Sequence, residues 1–220
     1  MKRRCKFDFL KFSLFLLLGL TAVALSFSTK TDESRSLDEK VKSFLESHRY
    51  QWRDMNVSER DGRILHDLIL KHNYKKALDI GTSTGHSAIW IAWALSKTGG
   101  KLITIEINEW RYKKALTNFR EAGLSDYIDA RLADAHELVP KLEGPFDFVF
   151  CDADKDWYIN YLKDVLPKLE VGGCFAAHNV SGRRMFWTRE FLDYLDSLPN
   201  METTIDRSSW AGISISYKKR

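Results

Sequence analysis

Cysteine is scarce in this chain of 220 residues, which contains only Cys5, Cys151 and Cys174. Three scattered cysteines cannot form a disulfide framework, so the small disulfide-stapled folds are excluded. Most of the chain also lacks an excess of one charge. Residues 1–28 hold five basic residues and one acidic residue, and the other 192 residues carry 29 of each sign. The net charge of +4 therefore belongs to the N-terminal segment, and the neutral remainder gives no argument for nucleic acid binding.

A hydrophobic run of full membrane-spanning length is missing as well. The apolar run from Phe12 to Phe27 has 16 residues, short of the ~20 that cross a hydrocarbon core. It follows a basic cluster and ends in a small-x-small sequence, Ala24-Leu25-Ser26, an arrangement that is typical of a signal peptide or a membrane anchor. We expect residues 1–28 to anchor the protein in a membrane, with export after cleavage as the alternative. Residues 29–54 would form a linker and an N-terminal helix, and residues 55–220 the main domain.

Beyond residue 36 the chain alternates strand and helix patterns and contains no internal repeat. Short apolar runs are typical of strands buried on both faces of a parallel sheet, and the helices between them imply right-handed crossovers. The sequence therefore predicts an open α/β sheet whose ligands bind beyond the carboxyl ends of the strands. Strands are predicted at Lys76–Ile80, Lys101–Glu106, Ile128–Leu132, Phe146–Cys151, Gly173–His178, Glu202–Asp206 and Ile213–Tyr217. Helices are predicted at Leu37–Ser47, Ser58–Lys71, His86–Leu95, Glu109–Ala122, Ala135–Leu142, Trp157–Leu166 and Arg184–Leu198.

The loop after the first predicted strand has the spacing Asp-x-Gly-x-x-x-Gly, from Asp79 through Gly81 to Gly85. This spacing differs from the Gly-x-Gly-x-x-Gly of dinucleotide sites, and no Walker lysine follows it, so a pyrophosphate or a nucleoside triphosphate is disfavoured. A carboxylate at the strand end would repel phosphates but suits a cationic amine or a sulfonium. S-adenosylmethionine carries both groups.

Two further carboxylates follow the next two predicted strands. Glu106 comes 21 residues after Gly85, where a carboxylate can accept hydrogen bonds from both ribose hydroxyls; alternatively, it supports the N-terminus of the following helix. Asp134 can accept from an adenine amino group or can serve as the N-cap of its helix. Together these residues favour a site for a nucleoside that bears a sulfonium group.

The fourth and fifth predicted strands end in Asp152 and in His178-Asn179. If these strands are neighbours, in a register that aligns Asp152 with Asn179, the three side chains converge and can hold a divalent cation. Lys155 beside them could then act as a base. In the same register Cys151 and Cys174 lie too far apart for a disulfide. The alternative is a solvated acidic turn that caps the next helix.

Taken together, these residues resemble the class I S-adenosylmethionine-dependent O-methyltransferases, most closely catechol O-methyltransferase and the caffeoyl-CoA group. The resemblance covers about Met55 to Tyr217 and implies a seven-stranded, mostly parallel, Rossmann-like methyltransferase sheet with helices on both faces. It assigns cofactor binding to nine positions: Met55, Val57, Asp79, Gly81, Ser83, Gly85, Ser87, Glu106 and Asp134.

The resemblance also implies the chemistry, with Asp152 as a metal ligand and Lys155 as the general base. The other two ligands in that family are normally an Asp-Asn pair, whereas this sequence has His178-Asn179. Mg²⁺ is the metal that the family implies, but imidazole suits softer ions better. His178 could instead act as a second base in an enzyme without a metal.

The expected activity is methyl transfer from S-adenosylmethionine to a hydroxyl of a small, catechol-like aromatic molecule. The alternatives are metal-independent N- or O-methylation of a small molecule and a membrane-tethered protein that binds S-adenosylmethionine without catalysis. Candidates for the substrate wall are Trp52, Asp154, Trp157, Met185, Phe186 and Trp210.

Overall fold

A computed structural model of the chain describes residues 35–181 and 186–220. The predicted leader over residues 1–28 and the candidate wall residue Met185 lie outside these ranges. The chain divides into two units, Met1–Lys40 and Val41–Arg220, and every strand described belongs to the second unit. Within the described ranges, no helix combines the length and the apolar character that crossing a membrane requires.

The second unit is built on one seven-stranded sheet with the strand order β3-β2-β1-β4-β5-β7-β6. β1 to β5 are parallel, whereas β7 runs antiparallel to both of its neighbours. This mixed sheet confirms the predicted α/β methyltransferase fold. The strands are β1 (Lys76–Ile80), β2 (Lys101–Glu106), β3 (Ile128–Leu132), β4 (Phe146–Cys151), β5 (Leu169–His178), β6 (Met201–Asp206) and β7 (Ile213–Lys218). The helices are α1 (35–47), α2 (Glu59–His72), α3 (His86–Thr98), α4 (Glu109–Ala122), α5 (Ala135–Leu138), α6 (Tyr158–Val165) and α7 (Phe186–Ser197).

The order of the strands decides where a ligand can bind. The chain builds β1, β2 and β3 outward to one edge and then returns to place β4 on the other side of β1. In open α/β sheets, a crevice forms beyond the carboxyl ends of the strands at such a reversal. The loops that follow β1 and β4 therefore face each other across this crevice.

α3 holds the loop after β1 in place because it is a largely apolar helix buried on every side. All its residues from His86 to Leu95 are buried, and it packs against α2 and the sheet. A helix that is apolar all round belongs in a protein core. Its N-cap is Gly85, so the glycine-rich loop is fixed between β1 and a buried helix.

Two details of the sheet and helices differ from the sequence-based expectation. The helix predicted at Ala135–Leu142 is α-helical only as far as Leu138 and continues as a short 3₁₀ turn, because Pro140 has no backbone N–H to donate. The register between β4 and β5 is also shifted by one residue: Cys151 pairs with Ala177, which brings Asp152 into line with His178 instead of Asn179. Cys151 and Cys174 are buried and free, which confirms that they form no disulfide.

Candidate functional site

The loop after β1 reaches the end of β4 through two glycines with positive φ. Gly81 has φ +106° and Gly85 φ +100°, a region in which other residues are strained. A Cβ atom on Gly81 would lie 3.0 Å from backbone atoms of Asp152 and Ala153. The backbone N–H of Asp152 donates to the carbonyl of Ile80 at 2.9 Å. The predicted cofactor loop and the predicted catalytic segment are therefore in direct contact.

Asp79 is a fully buried carboxylate at the end of β1. Its Oδ2 accepts hydrogen bonds from Thr104 Oγ1 at 2.8 Å and from Ser87 Oγ at 3.2 Å. Its Oδ1 is buried and finds no hydrogen-bond partner in the described part of the chain. Burial raises the pKa of Asp79 to about 7, although the two hydroxyl donors oppose this shift. A cationic group brought to Oδ1 would satisfy this carboxylate.

Glu106, the last residue of β2, joins the loop after β1 to the loop after β2. Its Oε2 accepts from the backbone N–H of Ser83 at 2.7 Å, and its Oε1 accepts from the backbone N–H of Asn108 at 2.8 Å. Ser83 has φ +48°, which turns its N–H toward the carboxylate. Each carboxylate oxygen can accept more than one hydrogen bond, so Glu106 keeps acceptor capacity for a ribose.

The segment before α2 lies across the glycine-rich loop. Ser83 Oγ donates to the carbonyl of Asp54 at 2.6 Å, and the imidazole Nδ1 of His86 lies 2.9 Å from the carbonyl of Val57. Val57 is buried, whereas Met55 is 73% exposed and has φ +49°. The structure thus places Met55 and Val57 beside the predicted cofactor loop.

Asp134 lies at the exit of β3 and acts as the N-cap of α5. Its Oδ1 accepts from the backbone N–H of His136 at 2.8 Å, and its side chain is half-exposed. The His136 ring stacks on Trp157 with 4.3 Å between ring centroids, and its Nε2 lies 3.0 Å from Asp154 Oδ2. Two candidate wall residues, Asp154 and Trp157, therefore flank the predicted adenine side of the crevice.

Lys155 points back at the end of β4. Its ammonium contacts Asp152 Oδ1 and donates to the hydroxyl of Tyr158 at 2.9 Å. That hydroxyl donates in turn to the backbone carbonyl of His178 at 3.2 Å. The side chain of Lys155 is 24% exposed and that of Asp152 is 11% exposed. The predicted base is therefore fixed at the crevice, with access for a small molecule.

The imidazole of His178 lies between two carboxylates. Its Nδ1 is 3.2 Å from Asp152 Oδ2, and its Nε2 is 3.3 Å from Asp61 Oδ2, an ion-pair contact. Burial alone would lower the pKa of His178, but Asp152 and Asp61 outweigh it and raise the pKa to about 9. Burial raises the pKa of Asp61, but the neighbouring His178 and hydrogen bonds from Ser209 and Ser58 bring it down to about 2.

Two of the predicted metal ligands, Asp152 and His178, contact each other and neighbouring side chains. Asp152 Oδ1 contacts Lys155 Nζ and Asp152 Oδ2 contacts His178 Nδ1, whereas His178 Nε2 lies 3.3 Å from Asp61 Oδ2 and finds no hydrogen-bond partner in the described residues. A metal ligand needs a free, deprotonated donor atom. Over residues 35–181 and 186–220, no three His, Cys, Asp or Glu side chains are grouped to hold a metal ion. Asn179, half-buried with φ +60°, lies next to this cluster. The metal thus stays a prediction of the sequence, and no step below depends on it.

Sequence reasoning missed Asp61 and Tyr158. Asp61 is only 1% exposed although it lies in the first turn of a helix. The pattern Ser58-x-x-Asp61 predicts a capping box, and Ser58 Oγ indeed accepts from the backbone N–H of Asp61 at 3.1 Å. No sequence pattern around Asp61 indicates that its carboxylate also contacts His178. The sequence around Tyr158 predicts only an aromatic residue of the core. The contacts of its hydroxyl with Lys155 and His178 depend on the folded structure.

Of the remaining candidate wall residues, Trp210 directly follows Ser209, which hydrogen-bonds Asp61. Trp52 stacks on His86, with 4.4 Å between ring centroids, and lines a cavity of about 390 Å³ whose lining residues fall between positions 42 and 93. Phe186 and Trp210 are 65% and 84% exposed. Val57 and His86 line this cavity together with Trp52, whereas Asp152 and Lys155 do not.

Among known proteins, this chain is similar in sequence to caffeoyl-CoA O-methyltransferases of plants. Caffeoyl-CoA O-methyltransferase 1 of Eucalyptus globulus is 35% identical over 136 residues, which are 60% of this chain and 55% of that protein. Its Arabidopsis thaliana counterpart is 33% identical over 137 residues, 60% of this chain and 52% of that protein. The match thus spans about half the length of these relatives.

Solved structures match more of the chain. The O-methyltransferase from Bacillus cereus, in complex with SAH, is 25% identical with a TM-score of 0.69 and covers 84% of this chain and 91% of its own. TomG from Streptomyces achromogenes, in complex with SAM, is 25% identical with a TM-score of 0.69 and covers 83% of this chain and 90% of its own. A family model described as O-methyltransferase matches residues 27–206, and the chain therefore belongs to this O-methyltransferase family.

Proposed function

We propose that this protein transfers a methyl group from S-adenosylmethionine to the hydroxyl of a small phenolic molecule. The observation that carries the proposal is the contact between Gly81 and the backbone of Asp152, because it brings the cofactor loop against the segment that holds Lys155. A donor held on one side and an acceptor held on the other would meet there. Holding two reactants in contact is itself worth roughly 7–11 kcal/mol in favourable cases.

The residues of the crevice fit the groups of S-adenosylmethionine. The unpartnered Oδ1 of Asp79 suits the cationic amine of the methionine portion. Glu106 retains acceptor capacity for the ribose hydroxyls, and Asp134 faces the side assigned to adenine. Related proteins of this fold have been solved with SAM or SAH, which supports the same ligand here.

Bound S-adenosylmethionine supplies a methyl group that passes to the acceptor oxygen, while the carbon–sulfur electron pair stays on sulfur to give S-adenosylhomocysteine. The acceptor hydroxyl must lose its proton in this reaction. Lys155, whose Nζ lies beside Asp152 and Tyr158, is the group we assign to receive it, and it can do so only after its own ammonium has given up a proton to solvent. Trp157 and Asp154, which contact His136 beside Asp134, would border the adenine side of the bound donor. The caffeoyl-CoA O-methyltransferases among the relatives support a phenolic acceptor.

The first test is binding and turnover by the full chain. S-adenosylmethionine is titrated by calorimetry, and a panel of catechols, monophenols and amines is then incubated with donor labelled in the methyl group. We expect a methyl ether and S-adenosylhomocysteine in equal amounts. Binding without methylation of any acceptor would favour the non-catalytic alternative, and methylation of amines alone would favour an N-methyltransferase. Absence of binding at about 1 mM donor would reject all three hypotheses.

Two pairs of variants locate the activity. Lys155→Met should lower kcat by roughly 10²–10³-fold and leave donor affinity nearly unchanged, because it removes only the proton acceptor. Lys163→Met, at an exposed position on α6, is its control.

Glu106→Gln should weaken donor binding by about 10-fold, whereas Glu109→Gln, three residues further on and exposed, should not. Equal effects within a pair would contradict the assigned roles.

A further inference from the structure

Arg111 and Asp54 form an ion pair to which the proposed function gives no role. Arg111 Nε donates to Asp54 Oδ2 at 2.9 Å, and Arg111 Nη2 donates to Asp54 Oδ1 at 3.0 Å. The two residues are 57 positions apart, because Asp54 precedes α2 whereas Arg111 lies in the first turn of α4. Two parallel hydrogen bonds between a guanidinium and a carboxylate fix the orientation of both groups. The pair therefore joins two distant segments in one geometry.

This ion pair closes a ring of hydrogen bonds that begins and ends at Glu106. On one side, the backbone N–H of Ser83 donates to Glu106 Oε2, and Ser83 Oγ donates to the backbone carbonyl of Asp54. On the other side, the backbone N–H of Asn108 donates to Glu106 Oε1, and Asn108 Oδ1 accepts from the backbone N–H of Arg111 at 3.0 Å. The contact between Asp54 and Arg111 joins the two sides.

The link between Arg111 and Asp54 differs from the other links of the ring. The contact between Asn108 and Arg111 is the N-cap of α4, which forms locally in the helix. Arg111 and Asp54, by contrast, meet only because the segment before α2 folds back onto α4. Asp54, chiefly through its hydrogen bonds, and Glu106 through its charge raise the pKa of Arg111. One guanidinium thus serves as counter-charge to both carboxylates.

We propose that Arg111 and Asp54 are positioning residues for the methyl donor, because their ion pair holds Glu106 and the glycine-rich loop in the arrangement that binds S-adenosylmethionine. The donor is that of the proposed function, on which this inference rests. Arg111 acts through Asp54, and Asp54 acts through Ser83. If the donor binds only the closed ring, its apparent affinity falls with the fraction of molecules in which the ring is closed.

Two single variants test this role in the full chain, with S-adenosylmethionine binding measured by calorimetry. Because the side chains of Arg111 and Asp54 are 27% and 40% exposed, we expect Arg111→Met and Asp54→Ala each to weaken binding by about 3–10-fold and not to abolish it. A purely electrostatic effect would have opposite signs, since one variant removes a positive charge and the other a negative charge near a cationic donor. Opposite shifts, or no shift in either variant, would overturn the proposal.

The control is Lys113→Met, which removes an ion pair with Glu109 on the same helix. It should leave donor affinity within about 2-fold of the unmodified chain. Arg111→Lys keeps the charge but loses the two parallel hydrogen bonds, so its donor affinity should lie between those of Arg111→Met and the unmodified chain. A control that weakens binding as much as Arg111→Met would contradict the assigned role.

The double variant, Asp54→Ala with Arg111→Met, shows whether the two residues act together. It should bind the donor about as weakly as either single variant, because the second residue has nothing left to hold once the first is gone. With a methylated acceptor, KM for the donor should rise by the same factor while kcat stays within about 2-fold. Multiplied effects in the double variant, or a loss confined to kcat, would reject a shared positioning role.

Hydrogen exchange at the backbone amide of Ser83 tests the ring without any ligand. This amide donates to Glu106 Oε2 at 2.7 Å, and its exchange should become about 3–10-fold faster in Arg111→Met and in Asp54→Ala but not in Lys113→Met. Unchanged exchange in both variants would overturn the inference even if phenols are methylated. If the unmodified chain binds no donor, the proposed function fails, and exchange at Ser83 still decides whether the ion pair holds the loop. If Arg111→Met does not fold, Arg111→Lys and Asp54→Ala remain decisive.

Discussion

Asp79 combines complete burial with one oxygen that lacks a hydrogen-bond partner in the described residues. Its pKa is raised from 3.8 to about 7, chiefly by burial. A raised carboxyl pKa means that the folded state binds the proton more tightly than the unfolded state does. The stability gained in this way is complete below pH 3.8 and is lost as the pH rises through about 7. Ligand-free protein therefore carries a destabilising charge at neutral pH.

We predict that the ligand-free protein loses roughly 2–4 kcal/mol of unfolding free energy between about pH 4 and pH 8 on account of Asp79. Asp79→Asn should flatten this dependence, since an amide does not titrate. Urea unfolding at several pH values measures it. Asp129→Asn, at an exposed position on β3, is the control and should keep the full slope. If Asp79→Asn and the unmodified chain show parallel pH profiles, the buried carboxylate does not titrate as the structure indicates.

At the scale of elements, the loop between β1 and α3 depends on one tight contact. Gly85 and Gly99 cap the two ends of α3, both with positive φ. A Cβ atom on Gly85 would lie 2.5 Å from Phe119 Cε1, whereas one on Gly99 would meet nothing within 4 Å. Both glycines therefore need a backbone with positive φ, but only Gly99 has room for a side chain.

Alanine at each position separates these two effects. Gly99→Ala should cost about 1 kcal/mol of unfolding free energy, from the positive φ alone. Gly85→Ala should cost about 3 kcal/mol, because Phe119 must also move, and it should weaken S-adenosylmethionine binding. Denaturant unfolding and calorimetric titration measure both. Equal costs would mean that Phe119 yields freely and that the loop is less tightly packed than the distances indicate.

The elements also show where sequence reasoning succeeds. The sequence predicts one site from Asp79, Gly81 and Glu106 because each lies at or just beyond the end of a strand, and parallel strands end at the same edge of a sheet. The order of β1 and β4 then brings Asp152 to the same place. These predictions need only the sequence pattern at each strand end and the general rules of parallel-sheet topology.

The contacts that join Asp152, His178 and Asp61 could not be predicted from local sequence patterns. A shift of one residue between β4 and β5 decides whether His178 or Asn179 lies beside Asp152, and neither strand fixes this register by itself. Asp61 is 117 positions from His178, and the capping pattern around it accounts for only one of its contacts. Long-range pairing of buried charges is set by how α2 packs on the sheet, which no short motif encodes.

At the scale of the whole molecule, charge divides the chain. Residues 1–28 supply all of the net charge of +4, and the rest is balanced. A neutral domain suits a small uncharged aromatic acceptor better than a polyanion. A basic segment before an apolar run, by contrast, suits the anionic surface of a membrane. The charge distribution thus predicts different roles for the two parts of the chain.

We propose that the N-terminal segment holds the full chain on a membrane, and expect the chain to sediment with membranes and to resist extraction by high salt. Leu16→Asp with Leu17→Asp should release it, because two charges within a largely apolar run of 16 residues remove the gain from burial in lipid. Thr29→Asp with Thr31→Asp, beyond the run, is the control and should stay bound. Mass spectrometry of the N-terminus identifies the alternative, since export after cleavage would yield a chain that begins near Phe27. An intact N-terminus in the soluble fraction would contradict both outcomes.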